Sequence, residues 1–157
     1  MTELPHLDES GDARMVDVSA KDVTARTATA RGRVLVNAEV VRLLRAGDLP
    51  KGDALAVARI AGIMAAKHTP DLIPLCHPIA LHAVDVDCVV ADDAVEVSVT
   101  TRTADRTGVE MEALTSVAVV CLAVVDMVKA ADPAATITDI RVVEKTGGKT
   151  GRWVRSE

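Results

Sequence analysis

Val84-Asp-Val-Asp-Cys88 and Val95-Glu-Val-Ser-Val99 decide the fold. Each alternates apolar and polar residues strictly, the period of a strand with one face buried and the other wet. Ala91-Asp-Asp-Ala94 lies between them, so the two segments read as an antiparallel hairpin. Downstream, residues 108–131 hold the longest helical pattern, with a second half apolar nearly all the way round; such a helix needs neighbours on several sides. Pro133 enforces its end, residues 137–145 return to a strand, and Thr146-Gly-Gly-Lys-Thr-Gly151 follows as a glycine-rich tail. Upstream, residues 25–36 mix threonines, arginines and apolar residues and end in Arg33-Val-Leu-Val36, which suits a strand. Asn37 caps a short helix carrying Val40, Val41 and Leu44 at helical spacing, with Gly47 as its stop. Asp53 caps a second helix over residues 54–67. Pro70, Pro74 and Pro78 exclude a helix through residues 69–78, because each removes a donor and pushes its predecessor toward extended geometry.

The sum is a sheet of antiparallel strands interleaved with two or three helices, an α+β layer architecture with a ferredoxin-like arrangement as the candidate. The chain of 157 residues shows no repeat or composition shift, so residues 14–157 read as one domain behind a polar segment, residues 1–13, expected to be mobile. Fifty residues are Ala or Val and Trp153 is the only aromatic. A core filled by side chains this small requires closely approaching backbones, and burial between subunits would relieve the shortage. With 18 basic against 23 acidic residues, the chain lacks the basic excess and stacking surfaces of a nucleic-acid binder. The longest apolar run, residues 117–125, is far short of a membrane span, and the N-terminus has no signal-peptide pattern. Three cysteines without a Cys-x-x-Cys pair read as reduced thiols in a cytoplasmic protein.

Four clusters can carry chemistry. Leu75-Cys76-His77-Pro78 sets a thiol beside an imidazole. Neighbours in an extended chain point opposite ways, so the two share a target only if the chain kinks. No further Cys or His at ligand spacing supports a metal, so His77 reads as a polar contact to a small ligand and Cys76 as a buried structural thiol. Gly108-Val-Glu110-Met111-Glu112 opens the long helix. Carboxylates are favoured in a first turn, and these two point about 200° apart, so they serve different neighbours or one is solvated. Asp126-Met-Val-Lys129 closes the same helix. On a surface the pair would be a weak ion pair, but beside a buried interface it can become a tuned acid or base. Lys51, and Lys145 and Lys149 around Gly147-Gly148, suit phosphate binding, against the plain reading of a solvated tail. Gly147-Gly-Lys-Thr150 is not a P-loop, since Val143 stands where that motif needs glycine. Glu112 and Asp126 are 14 residues apart, about 21 Å along one helix. They meet a common substrate only if two antiparallel helices from different subunits bring the start of one beside the end of the other.

Taken in order, Met15-Val-Asp-Val-Ser-Ala-Lys21, Lys51-Gly-Asp53, Ala58-Arg-Ile-Ala-Gly-Ile63, Asp71-Leu-Ile-Pro-Leu-Cys-His-Pro78, Gly108-Val-Glu-Met-Glu-Ala-Leu-Thr115, Asp126-Met-Val-Lys129 and Lys145-Thr-Gly-Gly-Lys149 closely resemble the molybdenum cofactor biosynthesis protein C family, the cyclic pyranopterin monophosphate synthases. The departures are small: Arg106 stands where members often carry Lys, and threonines replace serines in the tail. The resemblance implies a ferredoxin-like subunit in a homo-hexamer, a trimer of dimers, with sites between subunits. It implies conversion of 3′,8-cyclo-7,8-dihydroguanosine 5′-triphosphate into cyclic pyranopterin monophosphate and diphosphate, by acid–base steps with no redox cofactor. By the same resemblance Leu75, Cys76, His77, Glu110, Met111 and Glu112 would contact the substrate. Asp126 would be the catalytic acid/base with Lys51 and Lys129, and Lys145 and Lys149 would hold phosphates. Two other readings compete: a non-catalytic nucleotide-sensing module, which leaves the Asp126–Lys129 pair unexplained, and a metal-dependent enzyme that opens purine triphosphates.

Overall fold

The hairpin forms as its alternation requires. In a computed structural model describing residues 6–156, strands β2 (Ala83–Val90) and β3 (Ala94–Asp105) pair antiparallel, with Val86 opposite Val99 and Cys88 opposite Val97. β1 (Thr24–Leu35) lies on the other side of β3, antiparallel to it along its whole length from Thr24↔Asp105 to Leu35↔Ala94. Residues 25–35 of the segment read as a strand thus lie in β1, with Ala28, Ala30 and Val34 at its even positions all buried in the core, and Val36 falls just beyond its end. β4 (Thr136–Thr146) adds to the free side of β1, and a two-residue β5 (Trp153–Val154) pairs with β4 through Lys145↔Trp153. The sheet order is β2-β3-β1-β4-β5.

Helices α1 (Ala38–Ala46) and α2 (Ala54–Lys67) connect β1 to β2, and α4 (Glu110–Val128) connects β3 to β4. Each crossover skips one strand, which is the β-α-β-β-α-β order shared by ferredoxin-like folds. The chain is thus a single α+β domain with a five-stranded antiparallel sheet packed against helices. The caps act as the sequence indicates. Asn37 Oδ1 accepts from Val40 N at 2.9 Å, Asp53 Oδ1 accepts from Ala56 N at 3.0 Å, and Gly47 ends α1 at φ 73°.

Three sequence expectations need correction. The prolines do not exclude all helix from residues 69–78: α3 (Thr69–Leu72) takes Pro70 in its first turn, where the missing N–H has no helical partner to lose. The glycine-rich tail does not end the fold, since β5 follows it. The apolar run understates α4, a helix of 19 residues with mean hydropathy 2.0, long and apolar enough to cross a membrane. Here it lies instead across the sheet with Val117, Val120, Cys121, Val124 and Val128 fully buried. Of the N-terminal segment expected to be mobile, residues 1–5 lie outside the described residues. Residues 6–13 form an exposed turn closed by a Leu7–Ala13 bridge, with Asp8 Oδ1 accepting from Ser10 N and Asp12 N.

The core is as short of bulk as the composition indicates. Among the described residues, the largest fully buried side chains are all Val or Thr, while Ile60, Met64, Leu72 and Leu122 stand more than half exposed. Small cores fill space by bringing backbones together, and Gly62 is where α2 meets α4. A Cβ there would lie 2.3 Å from Val120 Cγ2 and 3.0 Å from Ser116 Oγ, whose hydroxyl donates to the Gly62 carbonyl at 2.8 Å. Gly62→Ala therefore destabilises the protein by about 1–3 kcal/mol through overpacking, outweighing the gain in helix propensity. A urea midpoint equal to or above the parent's would contradict this.

Candidate active site

α4 carries charged groups at its two ends and none between. At its start, Val109 caps without a side-chain bond, and Glu110 and Glu112 stand in the first turn, where the partial positive charge of the helix favours carboxylates. The two carboxylates do serve different neighbours. Glu110 is partly exposed and takes Lys145 Nζ at 3.3 Å, whereas Glu112 is 3% exposed. Burial pushes the Glu112 carboxyl up to about 7, and the nearby Glu110 charge pushes the same way.

Glu112 lines a cavity of about 340 Å³ together with Met111, Leu75, Cys76 and His77. A turn closed by Cys76 N donating to Ile73 O at 3.1 Å supplies the kink that lets thiol and imidazole reach one space. Cys76 is half-buried on the cavity wall, not a sealed core thiol. Burial first, then the Glu112 and Glu110 charges, raise its thiol above the ordinary value, so it stays protonated and is no activated nucleophile. His77 Nε2 lies 2.5 Å from the Val16 carbonyl. A carbonyl only accepts, so that nitrogen carries the proton, and His77 both walls the cavity and fastens a strap of chain across it. Arg106 holds the same strap by donating from Nε to Lys21 O at 3.0 Å.

A second, smaller cavity of about 90 Å³ adjoins the first through Gly108 and Glu110. Lys145, Lys149 and the loop glycines surround it, as does Arg26. Gly147 and Gly148 run at φ 96° and 69° tight against Arg26, and a Cβ on Gly148 would come within 2.5 Å of the guanidinium. A left-handed glycine pair beside three cations suits a polyphosphate. Sequence reasoning missed Arg26, Lys21, Val16 and Val18 as cavity-lining groups. Met15–Lys21 forms neither helix nor strand, so no periodicity marks which of its residues turn inward.

The other end of α4 is a separate cluster. Lys129 Nζ donates to Asp126 Oδ1 at 2.6 Å, and Lys51 Nζ lies 3.5 Å from Oδ2 while donating to the Asp126 carbonyl at 2.8 Å. That carbonyl belongs to the last turn, where cations are favoured. The hydrogen bond from Lys129 and the charges of Lys129 and Lys51 hold Asp126 below its usual value. Within one chain Asp126 and Lys129 are both 59% exposed, so the desolvation expected of the pair is not a property of the isolated chain. The structure thus groups Leu75, Cys76, His77, Glu110, Met111 and Glu112 with Lys145 and Lys149, and sets Lys51, Asp126 and Lys129 apart at the far helix end. Among the described residues no group of three or more His, Cys, Asp or Glu side chains is placed to hold a metal ion.

Comparison with known proteins defines the class. Residues 15–148 match the model of the MoaC family, and the chain belongs to that family. It is 69% identical over 153 residues to the cyclic pyranopterin monophosphate synthase of Streptomyces coelicolor, covering 98% of this chain and 90% of that protein. Proteins of the same name from Nocardioides sp. and Roseiflexus sp. are 67% and 58% identical, over 97% and 98% of this chain and 95% and 99% of theirs. The chain is an enzyme, and the non-catalytic alternative gives way.

Glu112 sets a pH dependence whose sign is fixed. Its folded value near 7 exceeds the ordinary 4.5, so the folded protein holds the proton longer than the unfolded chain does. The stability this contributes is complete below about 4.5 and is lost as pH rises through about 7. Urea midpoints of Glu112→Gln, compared with the parent across that window, should diverge in favour of the Gln variant as pH rises. Parallel curves would show that Glu112 is ionised throughout.

Proposed function

We propose that this chain is a cytoplasmic cyclic pyranopterin monophosphate synthase that converts 3′,8-cyclo-7,8-dihydroguanosine 5′-triphosphate to cyclic pyranopterin monophosphate and diphosphate in molybdenum cofactor biosynthesis. The name carried by its relatives supports the reaction. The observation that carries the mechanism is the division of polar groups between the ends of α4. A cavity of about 340 Å³ fits a purine-sized ring, the cationic glycine loop beside it fits the phosphates, and the proton-transfer cluster lies about 21 Å away.

The two halves act on one substrate when a second copy lays its α4 antiparallel to the first, so that Asp126, Lys51 and Lys129 of one chain face the cavity of the other. That neighbour also supplies the burial the pair lacks in a single chain. A homo-hexamer built as a trimer of such dimers is the assembly this reading takes. Within the joined site Leu75, Cys76, His77, Met111 and Glu112 contact the ring, with the Glu112 carboxyl protonated and able to donate. Lys145, Lys149 and Arg26 hold the triphosphate. Asp126 is ionised when substrate arrives, so it accepts a proton or steadies positive charge, while Lys51 or Lys129 donates. Opening the purine ring and closing the cyclic phosphate are both proton-coupled, so this scheme calls for no redox cofactor.

Replacing Lys51 or Lys129 with Ala should lower cyclic pyranopterin monophosphate formation by on the order of 10²-fold or more with assembly unchanged. Turnover near the parent rate in an intact oligomer would refute the catalytic assignment. Subunit sharing has its own test. Lys129→Ala and Lys145→Ala, each inactive alone, should recover about a quarter of parental activity when unfolded and refolded together in equal amounts, because mixed dimers carry one intact site. Mixed oligomers without recovered activity would place the whole site in one chain. Loss of turnover on chelation would favour the metal-dependent alternative.

A further inference from the structure

Glu110 stands at the junction of the two cavities and lines both. Oε1 accepts from Lys145 Nζ at 3.3 Å. Oε2 lies over Gly108, where a Cβ would come within 2.0 Å of it, so a glycine is what lets the side chain fold back along the cavity edge. The carboxylate thereby points at one of the cations gathered round the glycine loop, with the charge and oxygen geometry a phosphate oxygen would present there. Both partners are partly exposed, at 39% and 33%, and a pair of that kind exchanges readily. Plain substrate contact does not account for this placement, because a carboxylate so close to the phosphate pocket repels what the pocket is built to attract.

We infer that Glu110 is an internal competitor for the phosphate cation. Its carboxylate neutralises Lys145 until a polyphosphate takes the ammonium from it, and it reclaims Lys145 as diphosphate leaves. The inference rests on the reading above, in which Lys145 holds phosphate, and it changes the role of Glu110 from ligand contact to control of affinity and release. Affinity for diphosphate is accordingly set lower than the cations alone would give, so the second product does not block the site. No bond is made or broken by the exchange; one anion replaces another at a single ammonium group.

Calorimetric titration of inorganic diphosphate into the full-length protein tests it. Glu110→Gln should bind diphosphate more tightly than the parent, by roughly three- to tenfold, with Glu110→Ala moving the same way. Lys145→Ala should bind more weakly, and on that background Glu110→Gln should no longer improve affinity. If Lys145→Ala weakens binding but Glu110→Gln leaves it equal or weaker, Glu110 merely orients Lys145; the inference falls and the phosphate pocket stands. If the Gln gain persists without Lys145, general charge removal explains it and the inference falls likewise. If Lys145→Ala leaves diphosphate binding unchanged, the phosphate reading of the pocket fails and takes the inference with it.

Discussion

α4 is held between the sheet on one side and α2 on the other, and that confinement governs where chemistry can occur. From Ala113 to Val125 the face of the helix that meets the sheet and α2 cannot carry charge without an uncompensated burial cost; its buried positions are Ala, Val, Ser, Thr and Cys, and the exposed Leu122 is apolar as well. Even Ser116 is buried only because its hydroxyl finds the Gly62 carbonyl. Ionisable groups are therefore driven to the two termini. There the helix ends add their own preferences: carboxylates at the start, lysines at the finish. The separation of the two polar clusters follows from one apolar helix being the spine of the domain.

The same spine leaves a single chain with apolar surface that it does not cover itself. A core made of Val, Ala and Gly fits only if α2 and β1 approach α4 closely, and Gly32 and Gly62 mark those contacts: Cβ atoms there would meet Val117 and Val120 at 2.7 and 2.3 Å. Close approach leaves no interior room for the larger apolar residues. Val57, Ile60 and Met64 consequently line the outer face of α2, at exposures of 47%, 60% and 56%. In the proposed assembly that shortage would become an advantage, since further copies would cover the outer face and bring unlike ends of two spines together. The reading of a shared site depends on this arithmetic of side-chain size as much as on the charged residues themselves.

Much of this was legible before any coordinates. Alternation in residues 84–88 and 95–99 gives the hairpin, Asn37 and Asp53 give the caps, and the offset of fourteen residues from Glu112 to Asp126 gives the separation. What escaped was whatever depends on long-range pairing or on irregular chain. β5 is two residues long and exists only because β4 offers an edge at Lys145. α3 survives its proline because of where Pro70 falls in the turn. Arg26 reads as one more polar residue of a strand until the glycine loop, more than a hundred residues later, folds against it. The strap at Val16 and Lys21 is fixed by His77 and Arg106, partners that no local pattern announces.

The two carboxylates at the ends of α4 are driven in opposite directions by their surroundings. Glu112, nearly sealed and near a second carboxylate, keeps its proton to about 7; Asp126, open to solvent and gripped by Lys129 and Lys51, gives its proton up below the usual range. Pairs tuned apart in this way divide acid and base duties. A protonated Glu112 can donate to a ring nitrogen or carbonyl while staying uncharged beside a polyanion, which an ionised carboxylate at that place could not do. In the proposed scheme Asp126 would take up a proton once Lys129 or Lys51 had given one to the substrate, since the positive charge that holds it ionised is then reduced. Bringing the two onto one substrate would let a chain with net charge −5 manage a triphosphate without adding negative charge at the ring. The anionic duty then stays with the one carboxylate that has two lysines to balance it.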